Sequence, residues 1–352
     1  MTAPLTVGNE LAKKALLIVA VNAGLPNDPT RLPKRIRSHV GLIGDPGQEK
    51  TQLLFQIVDL VPGSRVESMQ SGTPISMTVY VDKEENGQRT YRPGPVVLAS
   101  GAILGLNEFG QMKNIEDDKY FTDAAEEGSF TVTKHGLNFH QTAHPSFVWT
   151  ANPIGGRWKN SDVIDEAQFP IIAQWGDRMD FTIPFIENTD ETWIREYGEK
   201  RRRLVNRLGS FASTTLWLKK YLLYARSLKP DLPEKMRIML EDYLVAIAKL
   251  GVRGLPRKLE ALERTATGFA KLKLKEVVDE EDVSDTIDHF NEMLKFYKQE
   301  VVTARDMAFL QCLAILQKTS PTKWTRDALV EEAYSKNPNI DLYIDRSKKA
   351  KV

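Results

Sequence analysis

Short apolar runs alternate with glycine-rich turns along the first half of the chain. His39-Val40-Gly41-Leu42-Ile43, Ala102-Ile103-Leu104-Gly105-Leu106, Ser146-Phe147-Val148-Trp149-Thr150 and Met179-Asp180-Phe181-Thr182-Ile183 each read as a buried strand. Thr51 to Leu60, after the first of them, reads as a helix. Strands alternating with helices predict a parallel sheet. Two polar stretches interrupt this pattern. Met77 to Val81 and Tyr91 to Leu98 flank the turn Glu85-Asn86-Gly87, while Phe130 to Thr133 and Leu137 to Thr142 flank Lys134-His135-Gly136. Both predict β-hairpins.

After about Glu187 the strand signals vanish and helical periodicity takes over. The expected helices are Thr192–Arg207, Thr214–Ser227, Pro233–Leu250, Leu255–Leu272 and Ser284–Val301, punctuated by Pro230, Pro233, Gly251 and Gly254. The organisation expected is therefore an α/β core over 1–187, a helical linker and lid over 188–300, and a C-terminal helical segment over 301–352 that suits part of a winged helix. The last segment closes on a basic tail, Arg346-Ser347-Lys348-Lys349-Ala350-Lys351. No internal repeat or low-complexity tract is visible.

Composition narrows the function less than the pattern does. With 48 Lys+Arg against 47 Asp+Glu the 352 residues carry a net charge of +1, so any nucleic-acid contact must come from local patches. The run Lys200-Arg201-Arg202-Arg203 is one candidate, but adjacent helical residues point in different directions and a solvated face is the simpler reading. The single cysteine, Cys312, sits in an apolar run and reads as a buried helix position; it rules out an internal disulfide or a cysteine-based zinc site. His39, His135, His140, His144 and His289 are too scattered to suggest metal binding. The apolar stretch Ala15 to Val21 is too short for a membrane span and reads as a buried helix, which fits a cytoplasmic protein without membrane partners.

Chemistry concentrates in two motifs. Gly44-Asp45-Pro46-Gly47-Gln48-Glu49-Lys50-Thr51 follows the first strand and approximates the P-loop pattern GxxxxGK[ST]. In that pattern backbone N–H groups wrap phosphates, the lysine reaches the outer phosphate oxygens and the hydroxyl binds Mg²⁺. Glu49 stands where the pattern has glycine; a carboxylate there is unfavourable beside a triphosphate unless it points to solvent. Leu104-Gly105-Leu106-Asn107-Glu108-Phe109 reads as a Walker B strand, in which an acidic pair normally holds Mg²⁺ and polarises water. Asn107 replaces the first acid and Glu108 keeps the second.

Together with later segments these motifs resemble the minichromosome maintenance (MCM) family of AAA+ ATPases. Gly44-Asp45-Pro46-Gly47 with Lys50 and Gln52-Leu53-Leu54 is similar to that family's P-loop. Asn107-Glu108-Phe109-Gly110-Gln111-Met112 is similar to its Walker B segment DEFDKM, and Ala151-Asn152-Pro153-Ile154-Gly155-Gly156-Arg157 to its sensor 1 segment. Asp177-Arg178-Met179-Asp180 resembles the arginine-finger segment SRFD, Leu218 to Pro230 the lid-linking helix, and Arg257-Lys258-Leu259-Glu260-Ala261-Leu262 the sensor 2 motif RQLEAL. Order and spacing agree from Ala3 to about Leu294. The family's amino-terminal half, with an OB-fold and usually a zinc site, has no counterpart in these residues.

The resemblance implies an AAA+ αβα core with two inserted hairpins and a helical lid. It implies that Gly44, Asp45, Pro46, Gly47, Gln48, Glu49, Lys50, Thr51 and Gln52 surround ATP, with Mg²⁺ at Thr51 and Asn107. Glu108 would orient water and Asn152 would sense the γ-phosphate, while Arg178 and Arg257 would act on a neighbouring subunit's nucleotide. Lys134, on the second hairpin, matches a lysine that faces single-stranded DNA in the family's central channel. The implied assembly is a homo-oligomeric, hexameric ring, nucleoid-associated in an archaeal-type cell. Glu49, Asn107 and His144, in place of a usual arginine, depart from the family pattern and imply impaired hydrolysis. Three readings follow: a DNA helicase motor for replication, a degenerate ring subunit that binds nucleotide but turns over slowly, and a magnesium-chelatase-like remodelling ATPase without DNA function.

Overall fold

The computed structural model describes residues 6, 8–28, 30, 35–69, 74–83, 89–111, 119–134, 137–158, 167–186, 191–205, 211–249 and 255–297. Met112, the hairpin turns around Glu85-Asn86-Gly87 and His135-Gly136, the glycines Gly251 and Gly254, Cys312 and the tail helices lie outside the described residues.

Apolar periodicity from Leu11 to Val21 makes helix α1 (Glu10–Asn22). Strand β1 (Val40–Gly44) is buried along its whole length, and helix α2 (Lys50–Leu60) follows across a five-residue loop. Strand β2 (Arg65–Ser68) comes next, then a short α3 (Pro74–Thr78) and the hairpin β3 (Val79–Lys83) and β4 (Arg89–Pro93). After α4 (Pro95–Leu98) the chain enters β5 (Ile103–Asn107), and then α5 (Lys119–Glu126) feeds the second hairpin, β6 (Ser129–Lys134) and β7 (Leu137–Thr142). Strand β8 (Ser146–Ala151), α6 (Pro170–Trp175) and β9 (Phe181–Phe185) complete the core. Helices α7 (Glu191–Val205), α8 (Phe211–Ser227), α9 (Glu234–Lys249), α10 (Leu255–Leu272) and α11 (Glu280–Leu294) follow.

The five core strands form one sheet in the order β2-β5-β8-β1-β9, and every pairing is parallel. Near-continuous apolar sequence in β1, β8 and β9 is the signature of strands covered on both faces, and all their residues are buried. Because the strands are parallel, β1, β5 and β8 all end at the same edge of the sheet. That carboxyl edge, flanking β1 where successive connections leave in opposite directions, is where open α/β sheets bind ligands. The two hairpins form separate two-stranded sheets, as their turn signals predicted, but the strands of the first are shifted: Met77 and Thr78 end α3 and Pro95–Leu98 form α4, because Pro95 opens a helical turn there.

The lid is not loosely appended. One apolar cluster runs from β1 and α2 through α1 into α8, α9, α10 and α11, so α1 is shared between core and lid. Beside it sits a buried polar hub. Asp180, just before β9, accepts from Arg264 of α10 at 2.7 Å and from Arg35 at 2.8 Å. Arg264 also donates to Glu260 and to the carbonyl of Arg35, while its own carbonyl accepts from Asn22 of α1. Burial would push the Asp180 carboxyl up, but the two guanidinium groups outweigh it and hold the group below its ordinary value. A second layer follows in the same segment. Arg37 donates to the carbonyls of Ala124 and Ala125 at the end of α5, and to Asn27 Oδ1 at 2.8 Å. His39 accepts from the Phe147 amide at Nδ1 and meets the Ala125 carbonyl with Nε2, which fixes a neutral ring protonated at Nε2. Burial, aided by Arg35 and Arg37, holds its pKa well below the ordinary value.

Some elements differ from expectation. Strand β2 was not foreseen: Arg65-Val66-Glu67-Ser68 is a half-buried edge strand with a single apolar residue. The last expected helix begins four residues earlier, at Glu280 rather than Ser284, because Asp279 and Asp282 form a reciprocal capping box there.

Breaking the hub should be expensive. Replacing Arg264 with Met leaves a buried carboxylate with one partner fewer, and the expected cost is about 3–5 kcal/mol in urea unfolding. A loss below about 1 kcal/mol would show that the hub does not hold the lid.

Candidate nucleotide site

The loop between β1 and α2 has the conformation that phosphate cradles need. Gly44 adopts φ +141° and a Cβ there would stand 2.1 Å from the Phe185 carbonyl oxygen, so only glycine fits. Gly47, at φ +85°, has nothing within 4 Å of where its Cβ would lie, which leaves open space over the loop. Lys50 is buried, and its ammonium donates to the carbonyls of Gly44 at 2.8 Å and Asp45 at 2.6 Å. Burial lowers its pKa to about 8, with Asp45 opposing the shift. Asp45 is itself anchored, accepting from the Trp158 amide at 2.6 Å, and this ties the P-loop to the segment after Gly155-Gly156-Arg157. Pro46 and Gly47 are exposed, and Gln48 and Gln52 are half-buried around the same turn.

Glu49 keeps the left-handed backbone of the glycine it replaces, at φ 60°. Its carboxylate finds a partner rather than open solvent. It accepts a hydrogen bond from the Tyr197 hydroxyl of α7 at 2.5 Å.

The other strand ends supply the rest. Asn107, last residue of β5, accepts through Oδ1 from both Thr51 and Thr150 hydroxyls, each at 3.0 Å. Thr150 also accepts from the Glu108 amide at 2.9 Å, and Glu108 sits at φ 59°. Thr150 thus joins the ends of β5 and β8 and aims the Walker B residues. Asn152 directly follows β8, between the ends of β5 and β1 in the sheet. The structure brings Lys50, Thr51, Asn107, Glu108 and Asn152 to one edge. An open glycine loop, a buried ammonium, a hydroxyl and an amide oxygen suit a triphosphate with a hard cation such as Mg²⁺. The substitution of Asn107 removes one negative charge from that set.

Arg178 and Arg257 lie elsewhere. Arg178 ends the short turn Gly176–Arg178 that leads into β9, at the amino edge of the sheet, whereas the P-loop leaves the carboxyl end of the adjacent β1. Five-residue strands place those edges roughly 13 Å apart or more. Arg178 and Arg257 both pair with one carboxylate, Glu126 at the end of α5, each at 2.9 Å. A packed aromatic group fixes the turn: Trp175 meets Phe109 at 5.2 Å and Phe147 at 5.6 Å, edge to face. Lys134 closes β6 at the tip of the second hairpin, where its backbone pairs with Leu137; its side chain lies outside the described residues. Lys200 and Arg203 on the exposed α7 pair with Glu196 and Glu199, as a solvated face requires. His144 contacts Arg37 at 3.2 Å.

Thr150, Trp158, Tyr197 and Glu126 were not singled out from sequence. None lies in a phosphate-loop or acidic-pair motif, and their roles depend on which segments the fold brings together. Among the described residues one carboxylate cluster, Asp279, Glu281 and Asp282, has metal-ligand spacing, but Lys275 pairs with all three and Lys273 with two. No described helix is long and apolar enough to cross a membrane.

A parallel sheet bearing a P-loop, a following Walker B strand and a helical lid define an AAA+ P-loop nucleotide-binding core. Comparison with known proteins gives the family. The family model for the MCM P-loop domain matches residues 1–193 and that for the MCM AAA-lid domain residues 216–294, and the chain belongs to the MCM family. It is 28% identical to the DNA replication licensing factor MCM6 of Arabidopsis thaliana, over 78% of this chain and 34% of that protein. It is 27% identical to MCM4 of Drosophila melanogaster, over 83% and 35%. An uncharacterized MCM-type protein of Methanocaldococcus jannaschii is 30% identical over 82% of this chain and 44% of its own length. The chain thus spans a third to under a half of the length of these relatives.

The Lys50 environment should make the affinity of this loop for a nucleotide pH-dependent. Phosphates favour the ammonium form, and the free protein loses that proton as pH rises through about 8. Affinity should therefore fall above pH 8, with proton uptake on binding, measurable by calorimetry in buffers of different ionisation enthalpy. A flat affinity from pH 7 to 9.5 would place the ammonium away from the phosphates.

Proposed function

We propose that this chain is an ATP-driven DNA motor of the MCM type, working in replication as a hexameric ring around single-stranded DNA. The observation that carries this reading is the separation of two half-sites: the P-loop group lies at the carboxyl edge of the sheet, while Arg178 and Arg257 gather at the amino edge. Neither arginine is disposed to serve its own P-loop, so both suit a nucleotide held by an adjoining copy. Bound ATP with Mg²⁺ supplies the phosphoryl group whose hydrolysis drives the motor. Lys50 and the loop amides from Gly47 to Gln52 hold the phosphates, and Thr51 with Asn107 holds the cation. Glu108 accepts a hydrogen bond from the attacking water and orients it, Asn152 reads the outer phosphate, and Lys134 presents a cation to the DNA backbone. The core (1–187), the lid with its linker (188–300) and the remaining segment (301–352) are the units we propose.

Asn107 and Glu49 favour a second reading, a ring subunit that binds nucleotide but hydrolyses slowly. A steady-state ATPase assay with and without single-stranded DNA separates the readings. Stimulation by DNA supports the motor; nucleotide binding without turnover supports the slow subunit; turnover blind to DNA supports a remodelling ATPase.

Asn107→Asp restores the missing carboxylate at nearly constant volume, and turnover should rise, most at low Mg²⁺. Equal or lower turnover across a Mg²⁺ titration would show that another step limits the rate.

Arg178→Ala and Lys50→Ala variants, each inactive alone, should recover activity when mixed, because some interfaces then pair an intact loop with an intact arginine. Such an arginine is worth on the order of 10³-fold in rate. No recovery, between subunits shown to exchange, would mean that Arg178 does not act across an interface. The Asn107→Asp background serves if the parent is too slow to assay.

A further inference from the structure

Glu49 poses a problem that the fold solves in an unusual place. It sits immediately before Lys50 in a phosphate loop, with a backbone at φ 60° that the pattern reserves for glycine. A free carboxylate there would face the same space as the phosphates and repel them. Its partner comes from 148 residues away: the Tyr197 hydroxyl donates to Glu49 Oε1 at 2.5 Å. Arg201, one turn further along α7, donates to the same hydroxyl at 3.3 Å, which brings a guanidinium beside the pair. Burial, then the Glu49 carboxylate, raise the Tyr197 pKa, so the phenol remains a donor throughout the ordinary pH range.

Among the described side chains of α7, the Tyr197–Glu49 hydrogen bond is the tie to the phosphate loop. The helix is charged and largely exposed along its length, and its ion pairs Glu191–Arg195, Glu196–Lys200 and Glu199–Arg203 are internal i,i+4 pairs. It also lies in the chain between the last core strand and the lid.

We propose that Tyr197 is a positioning residue for the nucleotide site, holding the Glu49 carboxylate off the phosphate cradle and thereby making nucleotide affinity depend on the docking of α7. With α7 docked, the carboxylate is drawn toward Tyr197 and the loop presents amides and Lys50. With α7 displaced, Glu49 is released and its charge opposes the phosphates. The linker helix between core and lid then acts as a gate on affinity through one hydrogen bond. This rests on the reading that the P-loop binds nucleotide.

The test is a cycle of four proteins, the parent, Tyr197→Phe, Glu49→Gly and the double variant, with ATP affinity measured by calorimetry. Tyr197→Phe keeps the ring and removes only the donor, and should weaken binding roughly tenfold, the scale of one like-charge contact at a partly screened distance. Glu49→Gly should bind ATP more tightly than the parent. In the Glu49→Gly background, Tyr197→Phe should have no effect. An unchanged affinity in Tyr197→Phe, or the same loss in both backgrounds, overturns the proposal, since the second result assigns Tyr197 a structural role. Hydrogen exchange of α7 in the nucleotide-free protein reads the contact separately: exchange should quicken in both single variants, and unchanged protection overturns the proposal. Lys50→Ala is the control for the underlying reading. If it binds ATP as the parent does, the P-loop assignment fails, and the exchange measurement still decides whether Tyr197 and Glu49 hold α7.

Discussion

A buried carboxylate between two buried arginines sets the geometry on which the rest of this molecule depends. Asp180 is 1% exposed and Arg264 2%, so neither charge can turn to water if the other is lost. Such a group returns little net stability, because desolvation consumes most of the Coulombic gain. Its effect is to forbid alternatives. The lid helix α10 must bring Arg264 to Asp180, and the segment before β1 must bring Arg35 to the same oxygen. Orientation of lid against sheet follows from satisfying one carboxylate. Apolar packing through α1 supplies the cohesion, but packing alone tolerates sliding, and a shared carboxylate does not.

Two consequences reach the arginines proposed to act across an interface. Arg178 lies two residues before Asp180, and its carbonyl accepts from Arg35. Arg257 lies two turns before Arg264 on α10. The hub therefore holds both arginines near Glu126 by their backbones, from core and lid respectively. A change in lid angle would separate them, while a fixed hub keeps them as a pair with one shared counter-charge.

Much of this architecture was readable from the chain. Short apolar runs marked the buried strands, turn residues marked both hairpins, and helical periodicity marked α10, whose limits Leu255 and Leu272 agree with expectation because a proline follows its first residue and apolar periodicity runs unbroken. The phosphate loop was readable because its chemistry is contiguous. What escaped had no local signal. β2 has one apolar residue and is recognisable only by its pairing with β5. Thr150 looks like any strand threonine until the fold sets it beside Asn107. Glu49 looked like a defect beside phosphate, since Tyr197 lies far along the sequence and nothing in its neighbourhood announces the contact. Arg178 and Arg257 were matched singly, and their common partner Glu126 is a helix-end glutamate with no distinguishing pattern.

The stretch from Arg35 to His39 behaves as a mechanical coupling. Its alternate residues reach two bodies: Arg35 the lid hub, Arg37 and His39 the carbonyls near the end of α5, three residues beyond which the second hairpin begins. The next residue begins β1, whose far end is the phosphate loop. A force applied at the hairpin thus has a short, stiff route into β1, between β8 and β9 in the sheet, along hydrogen bonds loaded in series with the backbone. Displacement at one end of β1 then reaches the other along covalent backbone, which yields far less than the apolar packing around it.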